Sequence, residues 1–159
     1  MNFFLTFRTY GTWLHGDERG WVDAHNNTFG APRPATNEAL HTSRRELMKQ
    51  EPVTLSDEAR ECVQNTIDEV CAHRKWNLHA REVRTNHVHI AVSGFASGEK
   101  MMTDFKAYAT RNLRAQGFFA KDVTIWAEHG STPHFHCEAE LLRIYNYIVF
   151  GQTNREREA

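Results

Sequence analysis

Three features of this 159-residue chain predict an α+β fold in which an antiparallel sheet carries helices on one face. Short β-type runs alternate with longer segments of helical period. Two of those runs, Trp76–Arg84 and Thr85–Ser93, follow each other so closely that they must form an antiparallel hairpin. With one insertion set aside, the order of elements is β-α-β-β-α-β plus a terminal helix.

The elements follow in order. Phe3 to Tyr10 is rich in aromatics and threonine with rough alternation, which predicts a first strand. Gly11 to Thr36 collects Gly16, Gly20, Asn26, Asn27, Gly30, Pro32 and Pro34, the composition of a long loop, and carries Trp13 and Trp21. Asn37 to Gln50 predicts a helix capped by Asn37 and stopped before Pro52. Residues 11–50 are therefore read as an insertion after the first strand. Ser56 is a cap, and Asp57 and Glu58 suit the positive end of the next helix dipole. Ala59, Val63, Ile67 and Val70 then recur at helical spacing through about Lys75. After the hairpin and the Gly94–Gly98 loop, a helix over Glu99–Gln116 ends at Gly117, a residue suited to a left-handed cap. A last strand is placed at Val123–Ala127, a loop at Glu128–His136, and a final helix at Glu138–Phe150 with Leu141, Ile144, Tyr145 and Ile148 on its apolar side. The β-α-β-β-α-β order is the ferredoxin-like arrangement. One domain over residues 1–152 and a charged tail over 153–159 are expected.

Composition sets outer bounds. Hydrophobic residues make up 40% and charged residues 25%, ordinary proportions for a globular chain. No apolar run reaches the roughly 20 residues of a membrane span, and Met1–Phe7 lacks the features of a signal peptide. A cytoplasmic protein is expected. Cys62 and Cys71 lie on one predicted helix, about 13 Å apart along its axis, too far to bridge. The net charge of −1 hides an asymmetry. Between Arg74 and Lys121 nine basic residues face three acidic ones, so that segment carries +6 and the remainder −7. A local positive field can attract a phosphate chain even when the whole protein is near neutral.

That basic segment contains Thr85-Asn86-His87-Val88-His89-Ile90-Ala91-Val92-Ser93. Side chains alternate along a strand, so His87 and His89 share one face while Val88, Ile90 and Val92 face the core. Two imidazoles on one face offer a metal a pair of nitrogen ligands. The following helix places Tyr108 and Asn112 four residues apart and Arg111 three from Tyr108, so the three share one patch. A second pair, His134 and His136, falls in a predicted loop and reads as surface structure.

These pieces together resemble the single-tyrosine HUH endonucleases, which include transposases of single-stranded DNA and the REP-associated tyrosine transposases. The likeness rests on Thr85-Asn86-His87-Val88-His89 and on Lys106-x-Tyr108-x-x-Arg111-Asn112. Trp126-x-x-x-Gly130-Ser131 and the late Tyr147-Ile148-x-x-Gly151-Gln152 extend it over nearly the whole chain. The resemblance implies His87 and His89 as ligands of Mg²⁺ or Mn²⁺, with Asn112 as a third through its carbonyl oxygen. It implies Tyr108 as the nucleophile that forms a 5′-phosphotyrosine link. The implied substrate is single-stranded DNA, possibly beside a hairpin, handled by a monomer or homodimer. Arg111, Lys106, Arg81 and Arg84 are the expected phosphate contacts, and Trp13 and Trp21 the expected base contacts. Two other functions fit the same residues: a hairpin-binding protein that does not cleave, and a phosphoesterase that uses water.

Overall fold

A computed structural model of the chain describes residues 1–12 and 36–151. Trp13, Trp21 and most of the expected long loop lie outside the described residues, as does the tail beyond Gly151. The elements are β1 (Asn2–Thr9), α1 (Glu38–Glu46), α2 (Asp57–Arg74), β2 (Asn77–Val83), β3 (His87–Ser93), α3 (Gly98–Ala115), β4 (Trp126–Ser131) and α4 (Glu138–Val149).

Local chemistry sets the helix ends where the sequence placed them. The side chains of Asn37, Ser56 and Ser97 accept from the backbone N–H three residues on, at 3.0, 3.2 and 3.2 Å, which satisfies a donor that the first turn leaves open. At the end of α3, Gly117 sits at φ +81°. Its N–H donates to Arg114 O and that of Phe118 to Leu113 O, each at 3.0 Å, which closes the last turn as a Schellman motif. Helix α2 closes in the same way, with Lys75 in the left-handed conformation at φ 57°.

The four strands form one antiparallel sheet in the order β2-β3-β1-β4. This is the ferredoxin-like order, and the predicted α+β class holds. Helices α2 and α3 lie on one face, where Val63, Ile67 and Val70 of α2 and Met101, Phe105, Ala109 and Leu113 of α3 pack on Leu5, Phe7, Val88, Ile90 and Val92. The terminal helix α4 lies on the other face. Its Ile144 and Ile148, with Phe135, pack on Phe4, Ala80 and Ala91. The sheet therefore has a helix-clad face and a second face only partly covered.

The first helix ends at Glu46, short of the expected Gln50, and the last strand and the inward face of the last helix also differ from expectation. The last strand runs over Trp126–Ser131, displaced from Val123–Ala127 into the expected loop. Glu128 and His129 are exposed, so no hydrophobic pattern marks this edge strand; backbone pairing to β1 and the close approach of Gly130 hold it. A Cβ at Gly130 would stand 2.6 Å from Thr6 O, a separation no side chain tolerates. On α4 the inward stripe is Leu141, Ile144 and Ile148, joined by Tyr147, while Tyr145 is 40% exposed. The expected place of Tyr145 on the apolar side is corrected accordingly.

Candidate active site

Strand register defines the site. Pairing of β1 with β3 sets Thr6 across from His89 and Arg8 across from His87. Pairing of β3 with β2 sets Glu82 across from His89, and the Arg84 N–H donates to His87 O at 2.8 Å on the same register. Directly opposed residues in an antiparallel pair share a face. Two cross-strand rows result on the α4 side of the sheet: Thr6–His89–Glu82, and next to it Arg8–His87–Arg84. Phe4, Ala91 and Ala80 form the row beyond, under α4.

His87 and His89 are 2% and 4% exposed, with ring centroids 4.9 Å apart. Each ring is fixed through Nδ1. For His87 the partner is Asn86 Oδ1 at 2.7 Å; an amide oxygen only accepts, so Nδ1 donates this bond. For His89 the partner is Thr6 Oγ1 at 2.9 Å. Asn86, itself 6% exposed, is held by its carbonyl, which accepts from Thr9 N at 2.9 Å and from Thr9 Oγ1 at 3.2 Å. Hydrogen bonds to the second ring nitrogen are what orient metal-ligating histidines. This donor set suits a divalent cation. Among the described residues no third His, Cys, Asp or Glu completes a cluster, so further ligands would be amide, hydroxyl, water or phosphate oxygens.

The tyrosine beside the histidines is Tyr147 of α4. Its ring lies 5.5 Å from that of His89, edge-on at 72°, and 6.1 Å from that of Phe4. Phe4 in turn stacks on His89 at 5.5 Å and 23°. Tyr147 is half-buried, in the last turn of a helix whose inward residues anchor it over the sheet.

The patch expected on α3 is elsewhere. Tyr108 packs with the core of the helix-clad face, and Arg111 lies over its ring at 4.9 Å. Asn112 Nδ2 donates to Thr66 Oγ1 of α2 at 2.9 Å. Since Val88, Ile90 and Val92 face this core and His87 and His89 the reverse, the sheet itself separates Tyr108, Arg111 and Asn112 from the histidines. The expected constellation is corrected on that ground. Helical spacing brings Tyr108 and Asn112 together but says nothing about which face of the sheet the helix covers.

The expected phosphate contacts divide in the same way. Arg81 pairs in register with Ile90, on the α2 side, and its Nε and Nη2 donate to the two carboxylate oxygens of Asp68 at 2.7 Å each. Lys106 turns onto β4, where Nζ donates to Ala127 O at 2.8 Å and His129 O at 3.3 Å. Burial lowers its pKa to about 8, against the opposing pull of Glu128. Both fasten the fold. Arg84 alone of the four lies in a row with a histidine, ion-paired to Glu82 at 3.2 Å. The basic segment thus spreads over both faces. His134 and His136 are exposed, with parallel rings 6.0 Å apart.

Sequence reasoning quoted Tyr147 only as a late part of the resemblance. A topological signal was available: α2 and α3 fill one face, so the helix left over must cover the other, which is where the histidines point.

Comparison with known proteins bears on this site. No curated protein matches the chain. Among solved structures, a REP-associated tyrosine transposase bound to a REP hairpin is similar at 14% identity and a TM-score of 0.49, over 92% of this chain and 63% of that one. The chain thus spans less than two thirds of that relative's length. A family model described as IS200-like transposase matches residues 46–148, which include the histidine strand and α4 through Tyr147. That match spans well over half of the sequence, and the chain belongs to the IS200-like transposase family.

Proposed function

We propose that this chain cleaves and rejoins single-stranded DNA, with Tyr147 as the nucleophile and with His87 and His89 holding a divalent metal, Mg²⁺ or Mn²⁺. The observation that carries the reading is the contact of Tyr147 with His89 on the face to which both imidazoles point. Tyr108, the nucleophile implied by sequence resemblance, lacks that contact.

When bound, the metal supplies Lewis-acid polarisation of the phosphoryl oxygens. The chain's own residues do the rest. Asn86 and Thr6 fix the two rings through Nδ1, and His87 and His89 would hold the metal through their other ring nitrogens. Ile144 and Ile148 seat α4 and keep Tyr147 over His89. The phenol oxygen of Tyr147 attacks phosphorus and loses its proton, from a free pKa near 10. The bond from phosphorus to the 3′-oxygen breaks, and that oxygen leaves as a 3′-hydroxyl. The 5′-phosphate remains on the tyrosine. This link conserves the bond energy, so a second 3′-hydroxyl can displace the tyrosine and join strands without a nucleotide cofactor.

The test uses labelled single strands, with and without a flanking hairpin, incubated with Mn²⁺ and run on a denaturing protein gel. The reading predicts a covalent adduct that disappears in Tyr147→Phe and in His87→Ala, and persists in Tyr108→Phe. Cleavage that survives Tyr147→Phe means hydrolysis by water. Binding without cleavage means a DNA-binding protein.

A further inference from the structure

The second cross-strand row of the site, Arg8–His87–Arg84, sets an arginine on each side of a candidate metal ligand. Both side chains emerge on the histidine face, from strands flanking β3. Arg8 is half-buried, and Arg84 is 21% exposed at its side chain and steadied by its ion pair with Glu82. The two backbones stand two interstrand spacings apart, about 10 Å. Each arginine has a long arm ending in a planar fork that matches phosphate oxygens. Arms of that length, rooted on opposite sides of His87, are long enough to reach one shared group about the size of a phosphodiester.

We infer that Arg8 and Arg84 form a two-sided clamp for one phosphate of single-stranded DNA, seated over His87. This rests on the reading of the site given above. The clamp would place the phosphorus within reach of Tyr147, since the neighbouring row carries His89 and Tyr147 lies against it. Two positive charges also suit a phosphoryl group whose oxygens gain negative charge as the tyrosine adds. Lys106 and Arg111 of α3 are on the other face of the sheet, whereas Arg8 and Arg84 share the histidine face.

A phosphate scan tests the clamp without any cleavage. Fluorescein-labelled single strands, each with one neutral methylphosphonate in place of a phosphodiester, are titrated with the full chain in EDTA and followed by anisotropy. Wild type is expected to lose about tenfold in affinity at one linkage, the size of a good charge-assisted contact. Arg8→Gln should bind the unmodified strand about tenfold more weakly, with a salt slope lower by about 0.7, the value for one phosphate contact to a single strand. It should lose less than wild type on methylphosphonate at that same linkage, the remainder being the grip of Arg84. The double variant Arg8→Gln/Arg84→Gln should lose less than the product of the two single losses, because both arginines grip one phosphate. Arg8→Lys keeps the charge and guards against a fold effect: it should restore the salt slope with intermediate affinity. The clamp is overturned if Arg8→Gln binds within about twofold of wild type, if the two losses multiply at different linkages, or if wild type shows no binding. If the scan succeeds while wild type leaves strands uncut in Mn²⁺, the clamp stands and the nuclease reading falls. If strands are cut but no linkage stands out, the reverse holds.

Discussion

The two faces of the sheet are built for different ends. On the helix-clad face Phe3, Leu5 and Phe7 of β1 and Val88, Ile90 and Val92 of β3 are apolar and meet α2 and α3 in the main core. On the other face the partner positions carry Thr6, Arg8, His87 and His89, and the apolar contact shrinks to a small cluster under α4. Burial of apolar area stabilises the first face at roughly 25 cal/mol per Å². The second contributes less to stability and holds polar groups in fixed orientation. The difference teaches where to look for chemistry: a strand that alternates valine with histidine puts its function on the face away from its core.

The contrast can be broken from both sides. The largest effects belong to the histidine face in catalysis. His89→Ala should lower single-strand cleavage in Mn²⁺ by about a thousandfold or more, the scale of losing a metal's electrostatic contribution. Arg111→Gln, on the other face, should leave the cleavage rate within about twofold; a large loss there would return the α3 patch to the site. In stability the order inverts. Phe105→Ala, at a side chain 1% exposed in the main core, should cost about 3–5 kcal/mol in denaturant unfolding. Ile148→Ala should cost less, about 2–3 kcal/mol, because the smaller cluster beneath α4 can close up around it.

A smaller effect sharpens the role of the polar face. Thr6→Val removes the hydrogen bond to His89 Nδ1 with little change of shape. It should weaken Mn²⁺ binding by about tenfold or more in calorimetry, with recovery in Thr6→Ser. Equal Mn²⁺ affinity in wild type and Thr6→Val would show that the ring needs no such fixing.

An effect that depends on pH concerns Lys106, which bonds β4. Its pKa falls from the ordinary value of about 10.5 to about 8 on folding. Below pH 8 both states hold the proton, and the cost of burying the ammonium is constant, so stability does not change with pH through this group. Between about 8 and 10.5 the unfolded chain binds the proton more, so stability rises with pH at up to about 1.4 kcal/mol per unit. Wild type should therefore gain on Lys106→Met as pH increases from 8 to 10 in urea titrations. Parallel curves for the two would mean that the carbonyls of Ala127 and His129 hold the ammonium charged throughout.

Much of the fold was legible because its signals are local. Ser56 and Ser97 precede helices with the spacing their caps require, Gly117 marks a left-handed end, and the alternation of Val88, Ile90 and Val92 reads directly as a core face. The edge strand β4 was misplaced because exposed Glu128 and His129 leave no periodic trace. Half of the candidate site was legible for the same reason that β3 was: His87 and His89 alternate with the core residues. The other half was not. Tyr108 and Asn112 are neighbours on α3, yet α3 lies across the sheet from the histidines, a fact of tertiary packing that helical spacing does not encode. Asn86 was marked only as part of the motif, and Thr6 acts through a hydrogen bond between residues 83 positions apart that nothing in the sequence pattern marks.

The central claim is that the partly covered face is the reacting face, with Tyr147 as its nucleophile. Digesting the Mn²⁺-dependent DNA adduct with nuclease and trypsin, and locating the retained nucleotide by mass spectrometry, tests it most directly. The account predicts nucleotide mass on the peptide Ile144–Arg155, with fragmentation assigning it to Tyr147 and leaving Tyr145 unmodified. Nucleotide on the peptide Ala107–Arg111, which carries Tyr108, would contradict it.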